Sequence, residues 1–229
     1  MRSVERAIEA IRAGEAVLIY DGDEREAEVD MVFPAWVAAP DVIYTIRVEA
    51  GGLLCFATSS AITSALGIPW GDDLLSSYGD LHLIARRRLR YRDRSAFTIW
   101  VNHVNVRTGV SDEDKSITVR KLDEVVRLVQ GGEVGEARKL FYSEFQAPGH
   151  VPILAARDLR QRKGHTEMSV ALFSAAGVRP SIVLAEMLSR GRSMSVAEAR
   201  TYAERKGLAI VTGEELLRWC EENEVCWGR

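Results

Sequence analysis

The chain has 229 residues, 47% of them apolar and 28% charged, with 30 Lys+Arg against 33 Asp+Glu and a formal net charge of −3. That balance excludes a disordered chain, which needs low hydrophobicity and high net charge. It also gives no general attraction to nucleic acid, and the longest weakly polar stretch, Met31 to Pro40, is half of what a membrane span needs.

At the N-terminus, MRSVERAIEA mixes acid and base and lacks an apolar h-region, so no secretory signal is expected. Val4, Ala7, Ile8 and Ile11 share one helical face, and Gly14 stops that helix. Ala16 to Tyr20 predicts a buried strand, followed by the acidic segment Asp21 to Asp30 and a second apolar run, Met31 to Val37. Pro40 opens a helix with Ile43 and Ile46 inward, ended by Gly51-Gly52. Leu53 to Thr58 and Phe97 to Val101 predict strands. Ser111 caps a helix whose apolar positions are Leu122, Val125, Val126 and Val129. Thr166 is the expected cap of a helix running to Ala176 and ended by Gly177. Ser195 with Glu198, and Thr212 with Glu215, form capping boxes on either side of a strand, Leu208 to Val211. Strands and helices are interspersed, and no linker or repeat divides the chain. The expected architecture is therefore one domain over residues 1–229, of mixed α+β class, with a mixed β-sheet packed against helices.

Chemistry concentrates in a few places. DGDEREAEVD carries Asp21, Asp23, Glu24, Glu26, Glu28 and Asp30 with one base, Arg25. In an extended chain Glu26, Glu28 and Asp30 fall on one side. By residue type this is either a polar turn or a site for a divalent cation or acid–base work. Arg162-Lys163-Gly164-His165-Thr166-Glu167 sets two cations and a glycine before a helix start. That is either an ordinary capped helix or a phosphate seat, with His165 as a metal ligand or acid–base group. Glu186 stands in the apolar run SIVLAEML, either on a solvated side or buried beside a partner. Pro148-Gly149-His150 reads as a turn. Cys55 reads as a small core residue. The three cysteines show no Cys-x-x-Cys spacing, which argues against a disulfide framework or thiolate zinc and for a reducing, cytoplasmic setting. The run Arg86, Arg87, Arg88, Arg90, Arg92 and Arg94 has one aromatic, Tyr91, so a solvated strand or loop, or an ion-pairing surface at an oligomer contact, is expected rather than nucleic-acid binding.

Taken in order, these segments resemble the 3,4-dihydroxy-2-butanone 4-phosphate synthase family along nearly the whole chain. The motifs are Asp21 through Asp30, Gly52-Leu53-Leu54-Cys55, Thr108 through Asp114, Pro148-Gly149-His150, Arg162 through Glu167, and the strand Ile182 to Leu188 around Glu186. The resemblance implies a cytoplasmic lyase of riboflavin biosynthesis that uses Mg2+ or Mn2+. It would convert D-ribulose 5-phosphate to L-3,4-dihydroxybutan-2-one 4-phosphate and formate, acting as a homodimer with active sites at the interface. By position, Glu26 and His165 would ligate the metal. Arg25, Arg162, Lys163, Gly164 and Thr166 would hold substrate, mostly its phosphate, and Glu26, His165, Asp30 and Glu186 would also contact it. His150, Glu186 and Asp30 would move protons, with Cys55 as a secondary donor. Two residues depart from the family pattern: Val29 replaces a small glycine and Lys115 an arginine. A catalytically silent phosphosugar-binding or regulatory module on the same fold is the alternative; the presence of Glu26, His150 and Glu186 favours the enzyme.

Overall fold

The computed structural model describes residues 2–85, 87 and 93–225. Arg86, Arg88, Arg90, Arg92 and Cys226 lie outside them, and with them most of the arginine run. The strands are β1 (Val17–Tyr20), β2 (Val29–Pro34), β3 (Cys55–Ser59), β4 (Phe97–His103), β5 (Phe145–Ala156), β6 (Ile182–Glu186), β7 (Leu188–Ser189), β8 (Arg192–Ser193) and β9 (Ala209–Thr212). The helices are α1 (Arg2–Ala13), α2 (Pro40–Thr45), α3 (Ser60–Leu66), α4 (Gly71–Ser76), α5 (His82–Ala85), α6 (Asp112–Gln130), α7 (Val134–Glu144), α8 (His165–Ala175), α9 (Val196–Lys206) and α10 (Gly213–Glu222).

Seven strands form one mixed sheet in the order β4-β5-β3-β6-β2-β1-β9, and β7 and β8 make a separate small hairpin. Among the described residues, only the β1–β9 and β3–β5 pairs are parallel. Because strand side chains alternate, the sheet feeds two cores. Leu18, Met31, Phe56 and Val183 pack with α2, α6, α7 and α9 residues such as Ile43, Leu122, Phe141 and Tyr202. Val17, Ile19, Val32, Ala57 and Leu184 pack with α1, α8 and α10, including Ile11, Leu172 and Leu216. Helices on both faces of a mixed sheet are what the interspersed pattern implied.

The local signals mostly act as expected. Ser111 accepts from the Asp114 N–H, and both capping boxes form. Pro40 occupies the first turn of α2, which loosens into a π-turn, Ile46–Ala50, before Gly51 takes the left-handed conformation. Val29 stands at the start of β2. It is a fully buried residue of β2, paired with Tyr20.

Three expectations need correction. Thr166 is not the cap of α8: Gly164 is, and the helix begins at His165. A Cβ at Gly164 would run into the Arg162 and Arg25 side chains, so close approach outweighs the capping preference for Thr. Pro148-Gly149-His150 is not a turn but part of β5, after a cis Ala147–Pro148 bond. This half of β5 pairs with β4 alone, since the β3 ladder starts at Ile153, and a proline is tolerated where no ladder donor is needed. Finally, Cys55 is a free thiol but Cys220 is disulfide-bonded. A bridge needs only two Cβ atoms about 4 Å apart, which sequence spacing does not decide.

Candidate active site and metal centre

The β1–β2 connection folds back on itself around Asp21. The buried Asp21 carboxylate accepts the backbone N–H of Glu26 and of Glu28, both at 3.1 Å, and the Arg25 guanidinium at 3.0 Å. Gly22 and Ala27 take positive φ to close this loop. Arg25 also pairs with Glu26 at 2.7 Å and with Asp93 at 3.2 Å. Like charges in the loop are thus balanced by one central guanidinium, and the Glu26 side chain is aimed at the start of α8.

His165, the first residue of α8, sits under this loop and is buried. Its Nε2 donates to the Glu28 carbonyl at 3.1 Å. Its Nδ1 therefore faces the carboxylates, 3.4 Å from Glu26 and 3.7 Å from Asp30. Burial alone would lower the His165 pKa, but Asp30, Glu26 and Asp21 outweigh it and push it up to about 9. Asp21, Glu26 and His165 bring one potential ligand atom each within 4.8 Å of one another. Two carboxylates and an imidazole whose second nitrogen is tied to a carbonyl suit a divalent cation, because that tie fixes the ring orientation. The sequence reading named Glu26 and His165 for this role; Asp21 was visible only as one of six acids.

β2 and β6 set Asp30 directly opposite Glu186. Cys55 pairs with Leu184, so all three side chains share the sheet face packed against α8. Burial raises the Asp30 pKa to about 6, His165 opposing and Glu26 and Glu186 adding to the rise. Burial and then the nearby Asp30 charge push the Cys55 thiol up to about 12, so it stays protonated at neutral pH. The close approach of chain at Gly52 is what that motif position requires: its N–H donates to the Glu186 carbonyl, and a Cβ there would strike the Glu186 backbone. Ser193, on the β7–β8 hairpin, lies 2.6 Å from Glu186 Oε1 and 3.0 Å from Glu28 Oε1. Its one hydroxyl hydrogen serves one carboxylate at a time. Glu28 is raised in pKa, first by burial and then by Glu186. Nothing in the sequence marked Ser193, which reaches the site only through the hairpin fold.

The cationic residues divide. Arg162 is buried in an ion pair with Glu167 and donates to the Arg94 carbonyl at 3.1 Å. Glu167 also accepts the Arg157 N–H at 2.9 Å. Lys163 is exposed and, with Asp21, Arg25, Arg160 and Thr212, lines a cavity of about 650 Å³, a volume within the range of small-ligand sites. Gly164 offers no capping side chain to the N-terminus of this eleven-residue helix, the end at which backbone N–H groups can meet an anion.

His150 stands apart. It is exposed on β5, and its hydrogen bonds run to Asn102 on β4. The structure thus unites Asp30, Glu186, Cys55, Glu26 and His165 within one chain and leaves His150 on a neighbouring strand. Of the arginine run, Arg94 pairs with Asp72 at 2.7 Å and Asp73 at 2.5 Å.

Comparison with known proteins bears on this geometry. The family model described as 3,4-dihydroxy-2-butanone 4-phosphate synthase matches residues 5–219. Relatives of that name include one from Archaeoglobus fulgidus, 36% identical over 222 residues, covering 93% of this chain and 92% of the relative. Another, from Methanosarcina acetivorans, is 36% identical over 226 residues, covering 94% and 90%. A solved 3,4-dihydroxy-2-butanone 4-phosphate synthase in complex with two magnesium ions superposes with a TM-score of 0.73 at 26% identity, over 96% of this chain and 97% of that one.

Proposed function

The chain belongs to the 3,4-dihydroxy-2-butanone 4-phosphate synthase family of riboflavin-biosynthesis enzymes, and from that premise and the site geometry we propose its reaction. The protein is a lyase that converts D-ribulose 5-phosphate to L-3,4-dihydroxybutan-2-one 4-phosphate and formate. The observation that carries this reading is the convergence of Glu26, Asp21 and His165 on one point, beside the Asp30–Glu186 pair. Carboxylate-rich donor sets fit Mg2+, with Mn2+ the alternative. Bound there, the ion would polarise the ketose carbonyl and offset charge on the enediolate oxygens.

The chain's own groups supply the rest. A carboxyl with a pKa of about 6 is largely ionised at neutral pH and basic enough to accept a proton beside a carbonyl, which assigns enolisation to Asp30. Glu186, one strand away, handles proton movement during elimination and rearrangement, with its carboxylate held by Ser193. The Cys55 thiol, kept protonated, is a reserve donor. Lys163 and the α8 N–H groups of Gly164, His165 and Thr166 seat the phosphate. Arg25 holds the loop that presents Glu26, and Arg162 fixes Glu167 and the helix start. We assign both arginines to substrate binding chiefly through these contacts. His150, exposed within one protomer, serves the site of a second copy in a cytoplasmic homodimer.

Among the described residues no helix is long and apolar enough to cross a membrane. The test is incubation with ribulose 5-phosphate and Mg2+, assaying formate. Release that stops with EDTA, returns with Mg2+ and fails with unphosphorylated ribulose supports the proposal. Full release in metal-free buffer, or equal turnover of both sugars, overturns it.

A further inference from the structure

Asn102, next to last in β4, carries a side chain whose two ends are distinguishable. The backbone N–H of His150 lies 2.7 Å from Oδ1. A backbone N–H can only donate, so that atom is the carbonyl oxygen of the amide. The other end, Nδ2, then faces the Thr108 carbonyl at 3.4 Å and the His150 Nδ1 at 3.1 Å. The amide has two hydrogens. The Thr108 carbonyl takes one, and the second points at Nδ1, which must offer a lone pair. In a neutral imidazole with Nδ1 accepting, the proton sits on Nε2.

We propose that Asn102 is a positioning residue that holds neutral His150 in the Nε2–H tautomer, so that His150 presents a hydrogen-bond donor to its ligand. This tautomer has no lone pair at Nε2 with which to take a proton from carbon. It can stabilise negative charge growing on a substrate oxygen, a role that leaves proton abstraction to the carboxylates. The role in turnover rests on the function proposed above; the tautomer does not.

The surroundings fix the amide. Asp114 accepts the N–H groups of Arg107, Thr108 and Gly109 at 3.2, 3.1 and 2.9 Å, which locks the loop that carries the Thr108 carbonyl. Gly109 has φ +86°, and a Cβ there would collide with the Asn102 amide. Gly149 likewise lets β5 close on the Val101–Asn102 backbone, where a Cβ would not fit. Asn102 is itself buried. An aspartate in its place would accept from Nδ1–H and favour the opposite tautomer.

The chain has four histidines, so 15N-histidine-labelled full-length protein gives a tractable long-range 1H–15N spectrum. His150 is identified by the signal lost in His150→Gln, and the pH is set where that signal is neutral. The expected result is a pyridine-like Nδ1 and a pyrrole-like Nε2 for His150, with the pattern reversed in Asn102→Asp. A pyridine-like Nε2 in the wild type overturns the inference, as does an unchanged tautomer in Asn102→Asp. If Asn102→Asp does not fold, the wild-type spectrum alone decides. In the metal-loaded enzyme, Asn102→Asp lowers kcat by about 100-fold, the low end for losing one hydrogen-bond donor to a developing oxyanion, with KM little changed. A wild type that releases no formate contradicts the proposed function, while the spectrum still decides this inference.

Discussion

Cation binding at the Glu26–His165 cluster is expected to be strongly linked to protons. Without an ion, His165 Nδ1 faces Glu26 and Asp30, and its pKa stands at about 9. A metal needs the Nδ1 lone pair, so the proton must leave first. At pH 7 roughly one His165 in a hundred is neutral, which weakens apparent Mg2+ affinity about 100-fold, or about 2.7 kcal/mol, relative to the fully deprotonated site. Asp30, at about 6, is mostly ionised above pH 7 and adds little to the slope. Affinity should therefore rise about tenfold per pH unit between 7 and 8.5, with close to one proton released per ion. Isothermal titration in buffers of different ionisation enthalpy measures both. The sign for the metal-free protein follows from the same pKa. His165 holds its proton more tightly folded than unfolded, so that stabilisation is complete below about 6.5 and is lost as pH rises through about 9. Affinity that is flat from pH 7 to 8.5, with no proton release, refutes the assignment of His165 as a ligand through Nδ1.

Three further outcomes are expected. Glu186→Gln keeps shape and fold but removes a base, so kcat should fall at least about 100-fold with binding retained; near-normal kcat would make this carboxylate structural. Glu167→Ala strands the buried Arg162 guanidinium, which should cost about 3–5 kcal/mol and lower Tm by roughly 6–20 °C for a chain of this size, and a calorimetric loss below about 1 kcal/mol would contradict that. Mixing inactive His150→Ala with inactive Glu26→Ala chains should restore part of the activity if His150 serves the partner's site; no recovery after verified subunit exchange would place both residues in one protomer's site.

Local signals that act within a few residues were legible in the sequence. Ser111, Ser195 and Thr212 cap where they should, because a side-chain acceptor three residues from free N–H groups needs no tertiary context. The acidic loop and the Glu186 strand were legible as chemistry, since carboxylates between apolar runs demand partners. What remained hidden depends on pairing between distant segments. The first half of β5, FQAPGHV, shows no alternation because one ladder and solvent surround it. The short helices α3, α4 and α5 lack enough turns to display a periodic face. Gly164 displaced Thr166 as cap because two arginines crowd its Cα. Asp21 could not be told from its neighbours until the loop closed and brought it within reach of Glu26 and His165. Ser193 gave no signal, as it acts only through the hairpin that places it against Glu186 and Glu28. Asn102 left a faint trace: a polar side chain ending the apolar strand FTIWV, just where a buried amide must find partners.

The central claim is that this site removes C4 of a phosphorylated ketose as formate. Supplying ribulose 5-phosphate labelled with 13C at C4, with Mg2+, and following the reaction by NMR tests it most directly. The account predicts one labelled formate for each unlabelled four-carbon phosphate formed. Label retained in the phosphorylated product, or no formate from metal-loaded protein, would contradict it.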